Sequence, residues 1–257
     1  MRVLVTTAVP AERDAVASAF TVPVSAHPVP GAALSRLTLV ADRSDLRDRL
    51  VLDLLAGGVG PAAAAASTAA ALTAAALAGE PYDVVVSAGI GGGFQPDAPV
   101  GSLVLADDIT VADLGAETPE ATGTTGTTVG FTPVTELGFG AVTHRPPESL
   151  VRELAAVTGA RRGSVLTVST VTGSTARAAE LRRRHPRALA EAMEGFGVAE
   201  AAAAHGVPVL EIRAVSNPVG PRDRAAWRIG EALAALTGAF GKLAPVLESW
   251  NPHDLTH

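Results

Sequence analysis

The chain has no cysteine, a single tyrosine and a single lysine, Lys242, among its 20 basic residues. The missing cysteine excludes a disulfide framework, thiolate catalysis and cysteine-ligated zinc. Aromatic residues make up only 4% of the 257 residues, whereas apolar residues make up 47%, much of it alanine and valine. A core of small side chains suits helices packed closely on a sheet. A net charge of −6 argues against general nucleic-acid binding, which needs clustered Lys and Arg. The one arginine cluster, Arg182-Arg183-Arg184, reads as a solvated helix face, with an anion-binding patch as the sharper alternative.

Long apolar runs are also scarce. The N-terminal run Val3–Thr7 is too short for a signal peptide and is soon followed by Pro10, Glu12, Arg13 and Asp14. The stretch from Ala62 to Ala78 is mostly alanine, interrupted by Ser67, Thr68 and Thr73. It reads as a buried helix, because a membrane span needs about 20 strongly apolar residues. The expectation is a soluble, cytoplasmic protein without membrane or nucleic-acid partners. At this length roughly 70–75% of the unfolded surface can be buried, so one domain needs no covalent or metal staple.

Strand-like and helical segments alternate along the chain. Val3–Thr7, Leu34–Val40, Leu50–Leu55, Asp83–Ala88, Ser102–Ile109 and Val207–Val215 read as strands. Helices are expected from Pro10 to Phe20, after the Gly57–Pro61 turn to Ala78, and over Leu150–Val157, Thr175–Arg184, Glu194–His205 and Ala225–Leu247. The alternation predicts a single-domain, three-layer αβα protein, a mixed central sheet flanked by helices. The domain spans 1–250, with 251–257 as a tail. The Thr-, Gly- and Pro-rich segment Asp113–His144 has weak periodicity and reads as a functional loop or an irregular hairpin.

Three motifs carry candidate chemistry. Ser87-Ala88-Gly89-Ile90-Gly91-Gly92-Gly93 follows a buried strand. Its glycines allow close approach of a ligand, or simply a tight turn. Met193-Glu194-Gly195 places a lone carboxylate at a helix start. The helix dipole favours it there, but beside Met193 a buried carboxylate needs a partner, such as a substrate hydroxyl. Arg213-Ala214-Val215-Ser216-Asn217-Pro218 is an apolar strand ending in a polar pair, either a turn or a polar cluster presented at a strand's carboxyl end. His27, His144, His185 and His205 are scattered. No convincing metal-ligand spacing appears, and neither metal nor cofactor is expected.

Together, in this order, these segments resemble the nucleoside phosphorylase/nucleosidase superfamily, in the branch that contains methylthioadenosine/adenosylhomocysteine nucleosidases. The specific part is Met193-Glu194-Gly195 followed about twenty residues later by Arg213-x-x-Ser216-Asn217. Within the branch, the stretches Asp113–Glu117, Thr167–Gly173, Ala190–Gly197 and Ser216–Gly220, with Arg222-Asp223-x-x-x-Trp227, are most similar to the futalosine hydrolases of the alternative menaquinone pathway.

The resemblance implies a set of roles. Glu12 is the general base for water, although it is also an ordinary first-turn helix carboxylate. Glu194 binds the ribose hydroxyls, and Met193 packs on the sugar. Gly91 and Gly92 line the water site. Arg213 holds a structural place near Glu194. Asn217 stands where adenine-specific relatives carry Asp. An amide NH₂ suits hypoxanthine, which offers acceptors at N7 and O6, and Ser216 can hold that amide. Val171 and Thr172 border the base. Val171 replaces the aromatic that stacks on the base in relatives, so the stacking residue is expected among Phe131, Phe196 and Trp227, in that order. The absence of Gly-x-Pro-x-Arg near the N-terminus favours water over phosphate, with Arg13 as the residue against that view. Arg145 and Arg222 are candidates for the far end of the substrate. The resemblance also implies a homodimer or larger homo-oligomer. Three other readings remain at this point: a methylthioadenosine/adenosylhomocysteine nucleosidase, a phosphate-dependent phosphorylase, and a catalytically silent nucleoside-binding module.

Overall fold

A computed structural model describes residues 1–40, 49–119 and 129–251. The C-terminal tail beyond 251 lies outside the described residues, as do residues 120–128 of the expected loop. In chain order the elements are β1 (Arg2–Thr7), α1 (Pro10–Ala17), β2 (Ser25–Val29), β3 (Ala32–Val40), β4 (Arg49–Ala56) and α2 (Pro61–Leu77). Then come β5 (Val84–Gly93), β6 (Leu103–Val111), β7 (Gly115–Pro119), β8 (Val129–Pro133), β9 (Thr143–His144) and α3 (Glu148–Thr158). The chain ends with β10 (Arg161–Thr167), α4 (Thr175–Arg184), β11 (Ala188–Ala192), α5 (Gly195–Ala204), β12 (Val209–Pro218) and α6 (Ile229–Ser249).

The expected three-layer architecture is present. The main sheet runs β11-β10-β6-β12-β5-β1-β4-β3-β2. Its inner strands β1, β4, β5 and β12 pair in parallel, and the β2–β3–β4 edge is antiparallel. Strand alternation sorts the core into two layers. Val3, Val5, Val84 and Val86 pack with Val16, Leu150, Leu236 and Phe240, from α1, α3 and α6. Leu4 and Val85 face the other way, with Ala64, Ala71, Val198 and Ala202 of α2 and α5. The second layer is built from small residues, so those two helices lie close to the sheet. No helix among the described residues is long and apolar enough to cross a membrane.

The segment read as a functional loop or an irregular hairpin carries an antiparallel pair, β7 with β8, in keeping with the second of those readings. One departure from the sequence reading matters. The last helix begins at Ile229 rather than Ala225, because Asp223 caps a short 3-10 turn over Arg224–Ala226 through the Ala225 N–H. The sheet also turns back on itself. The far strand β11 pairs with the end of β5, Glu191 opposite Gly92, which closes β5, β12, β6, β10 and β11 into a circuit.

Candidate active site

The carboxyl ends of β1, β5 and β12 meet the N-terminal ends of α1, α2 and α5. Pro10 starts α1, and Glu12 lies in its first turn with its side chain folded back. Glu12 Oε2 accepts from the Ala8 and Val9 N–H groups at 3.0 and 3.3 Å, and Oε1 accepts from the Ile90 N–H at 2.9 Å. A carboxylate offers about four lone-pair sites, so these three bonds leave one for a further donor. Gly89 is required here by space. A Cβ at that position would lie 2.6 Å from Glu12 Oε1 and 2.7 Å from Arg213 Nη1.

Glu194 is the N-cap of α5. Its Oε1 accepts from the Gly60 N–H at 3.2 Å, and its Oε2 from the Met193 N–H at 3.3 Å. Gly60 has φ +92°, a conformation that side chains disfavour. It delivers that N–H from the start of α2.

Behind Glu194 lies Arg213, which is fully buried. Its Nη1 reaches Glu194 at 3.5 Å, its Nε donates to Glu211 Oε1 at 2.9 Å, and its Nη2 donates to Ser87 Oγ at 2.9 Å. Burial works against the Arg213 charge, yet the carboxylates of Glu211, Glu194 and Glu12 hold its pKa above the ordinary value. Burial pushes the Glu211 carboxyl up, with Arg213 pulling the other way. Glu211 Oε2 is buried without a hydrogen-bond partner.

At the other end of the site, Ser216 Oγ donates to Asn217 Oδ1 at 2.9 Å. That fixes the amide, whose NH₂ also reaches the Pro218 carbonyl at 2.9 Å. Across from it stands Glu191, which the sequence reading left out of the site. Its Oε1 accepts from the Thr172 N–H at 2.8 Å and its Oε2 from the Thr172 hydroxyl. Burial pushes the Glu191 carboxyl up, against the pull of both Thr172 bonds and Arg177.

One cavity of about 310 Å³ collects these groups, within the range of small-ligand sites. Glu12, Gly91, Gly92, Val171, Thr172, Glu191, Met193, Glu194, Ser216, Asn217 and Trp227 all line it, with Gly92 paired to Asn217. Arg213 is not on its wall; it stands behind Glu194, with which it makes contact.

The expected order of aromatic candidates is corrected. Phe131 sits on β8 under the Arg184 guanidinium, 4.2 Å from its ring centroid. It lines a separate, larger cavity of about 510 Å³ with Arg145, Arg184 and Arg187. Phe196 is buried beside the His144 ring. Both were placed by a chain path that residue types do not reveal. Only Trp227 of the three lines the site, with Arg222 5.6 Å over its ring. Arg145 is paired with Asp108, at the other cavity. The larger cavity is hemmed in by ion pairs of Arg145 and Arg187 with Asp108, and none of the carboxylates singled out from the sequence lines it, so the smaller one is the candidate site.

Comparison with known proteins places the fold. Residues 4–247 match the family model of the phosphorylase superfamily. The chain is 71% identical to a futalosine hydrolase of Streptomyces coelicolor, covering 99% of this chain and 100% of that one. It is 45% identical to a futalosine hydrolase of Acidothermus cellulolyticus, covering 93% of this chain and 89% of that one. Among solved structures, the native futalosine hydrolase of Helicobacter pylori superposes with a TM-score of 0.72 at 18% identity, over 95% of this chain and 97% of that one.

Proposed function

The chain belongs to the phosphorylase superfamily, and from that premise we propose that it hydrolyses the N-glycosidic bond of futalosine. The products are hypoxanthine and the dehypoxanthinyl sugar, and the step serves menaquinone synthesis. The observation that carries this reading is the composition of one cavity, whose lining includes the carboxylates of Glu12 and Glu194 and the amide of Asn217. The identity to futalosine hydrolases over nearly the whole chain supports the choice of substrate.

Breaking the C1′–N9 bond sends its electron pair to the base and leaves positive charge on the ribose ring. Glu194 binds the ribose hydroxyls, and those bonds strengthen as the ring becomes cationic. Met193 packs against the sugar. Glu12 uses its remaining lone pair to orient a water molecule and takes its proton as the water oxygen bonds to C1′. The Gly91–Gly92 backbone borders that water. Asn217, held by Ser216 and the Pro218 carbonyl, donates its remaining N–H to the N7/O6 edge of the departing base, which leaves as a stabilised anion and gains its proton afterwards. Trp227 supplies the stacking surface, beside Val171 and Thr172. Residues 1–250 act as one nucleosidase domain. The reaction calls for no metal or cofactor, and the enzyme works in the cytoplasm as a homodimer or larger homo-oligomer.

The test is to incubate the protein with futalosine, aminofutalosine, methylthioadenosine and inosine, with and without phosphate, and to follow free base by chromatography. Futalosine is expected to be the best substrate, with no phosphate requirement. Adenine release from methylthioadenosine at a comparable rate overturns the reading. A phosphate requirement moves the enzyme to the phosphorylases.

A further inference from the structure

The proposed mechanism leaves one carboxylate of the cavity without a task. Glu191 lies on β11, which pairs with β5 in the register Glu191–Gly92. On the other side of β5, Asn217 of β12 is also opposite Gly92. Glu191 and Asn217 therefore flank the same glycine on neighbouring strands. Adjacent strands lie about 4.8 Å apart, so the two backbones stand roughly 10 Å apart across a floor with no side chain. A purine fits between them edge-on, one edge toward each side chain.

The chemistry of the two edges decides what each can read. Asn217 offers one N–H of its amide, the other being held by the Pro218 carbonyl and its Oδ1 by Ser216. Glu191 offers acceptors. Thr172 occupies one lone pair on each of its oxygens and so fixes the carboxylate plane while leaving further lone pairs. A 6-oxopurine presents acceptors at N7 and O6 and a donor at N1–H. Adenine presents a bare lone pair at N1, which a carboxylate repels. We propose that Glu191, held by Thr172, is a specificity-determining residue that accepts the N1–H of the oxopurine base while Asn217 donates to the N7/O6 edge. Burial without a full set of donors pushes this carboxyl upward, and an N–H from the base supplies the donor that favours its charged form.

This inference rests on the futalosine reading above, so its test separates the two. Wild type and E191Q are compared for kcat/KM on futalosine and aminofutalosine, and for inhibition by free hypoxanthine and adenine. In E191Q the Thr172 N–H keeps the amide oxygen in place, so the NH₂ takes the other oxygen's position and suits a lone pair at N1. A hydrogen bond to a charged group is worth roughly a 10- to 100-fold factor. E191Q is expected to lose about that much on futalosine and on hypoxanthine inhibition. Aminofutalosine turnover should hold within about threefold or rise, because no such bond is lost there. An unchanged futalosine-to-aminofutalosine ratio overturns the role of Glu191 while leaving the futalosine reading intact. Failure of wild type to cleave futalosine overturns the reading itself. Should E191Q not fold, wild type alone decides: 1-methylhypoxanthine, with no hydrogen at N1, is expected to inhibit at least about tenfold more weakly than hypoxanthine, and equal inhibition overturns the proposal.

Discussion

Among the described residues, two clusters of buried charge are built differently. At the β3–β4 side of the sheet, Asp53 is fully buried and accepts two bonds from Arg36, at 2.7 and 2.8 Å, and one from the Tyr82 hydroxyl at 2.7 Å. Arg2 stands 3.5 Å away and reaches on to Glu80 at 3.0 Å. Two cations face two carboxylates. Burial pushes Asp53 up, but Arg36 and Tyr82 outweigh it and its pKa falls below the ordinary value. At the β5–β12 side, one cation, Arg213, faces Glu211, Glu194 and Glu12. There Glu211 is pushed up instead, and one of its oxygens has no partner. A balanced cluster holds strands together. A cluster with surplus negative charge is costly to the fold but ready to stabilise positive charge that develops next to it.

The comparison predicts opposite consequences for activity and stability. The largest effect is expected for Glu12→Gln, which should lower kcat by about 10²- to 10⁴-fold, the usual worth of a general base. Its thermal midpoint should fall only modestly, since the amide leaves at least one backbone N–H without its acceptor while the fold persists at assay temperature. Glu194→Gln follows, with a loss of about 10²- to 10³-fold, the scale of one removed transition-state contact. Steady-state kinetics on futalosine and a melting curve measure both, and a variant that unfolds while its folded fraction stays active would merge the two clusters into one structural class.

Asp53→Asn should do the reverse. Breaking a buried ion pair costs about 3–5 kcal/mol, visible in urea unfolding, while turnover by the folded protein stays within about twofold, since nothing at the cavity has changed. A collapse of kcat at full stability contradicts the division. Its pH signature is also defined. Asp53 has a lowered folded-state pKa, so its contribution is present above about pH 3.9, the unfolded value, and is lost as pH falls through the folded value. Asp53→Asn should flatten that acid limb.

The smallest effect is expected for Glu211→Gln. The Glu211 pKa is raised, so its contribution to stability is full below about pH 4.3, the unfolded value, and is lost as pH rises through the folded value. The neutral variant should lie within about 1 kcal/mol of wild type and gain on it as pH rises from about 4 toward neutrality. Unfolding curves at several pH values check the slope, and a variant that loses ground as pH rises shows an ionised Glu211 instead.

The sequence made the interior legible and the margins less so. β1, β4 and β5 are buried apolar runs, and α2 is announced by Gly60-Pro61 and a long alanine stretch, so each was anticipated. β2 escaped notice because an edge strand with Ser25, His27 and Pro28 buries little and shows no clear alternation. β10 starts with two arginines, and β11, Ala188-Leu189-Ala190-Glu191-Ala192, has the composition of a helix; its strand form comes from pairing with β10 and β5. Glu191 was missed for the same reason. A lone carboxylate within an apolar stretch was the available signal, but its neighbour Thr172 lies nineteen residues away and only the fold joins them. The aromatic at the cavity was misjudged because the side to which β7 and β8 fold is set by long-range packing.

The return of β11 to β5 has a further consequence, for how the molecule opens and what it exposes. A strand path that closes at one side still has a free end at β2, and there Pro28 removes a backbone donor from a five-residue strand. An edge of that kind is a poor template for adding strands from another chain. Amide exchange should accordingly fray from β2 inward, while the ring of β5, β12, β6, β10 and β11 exchanges last.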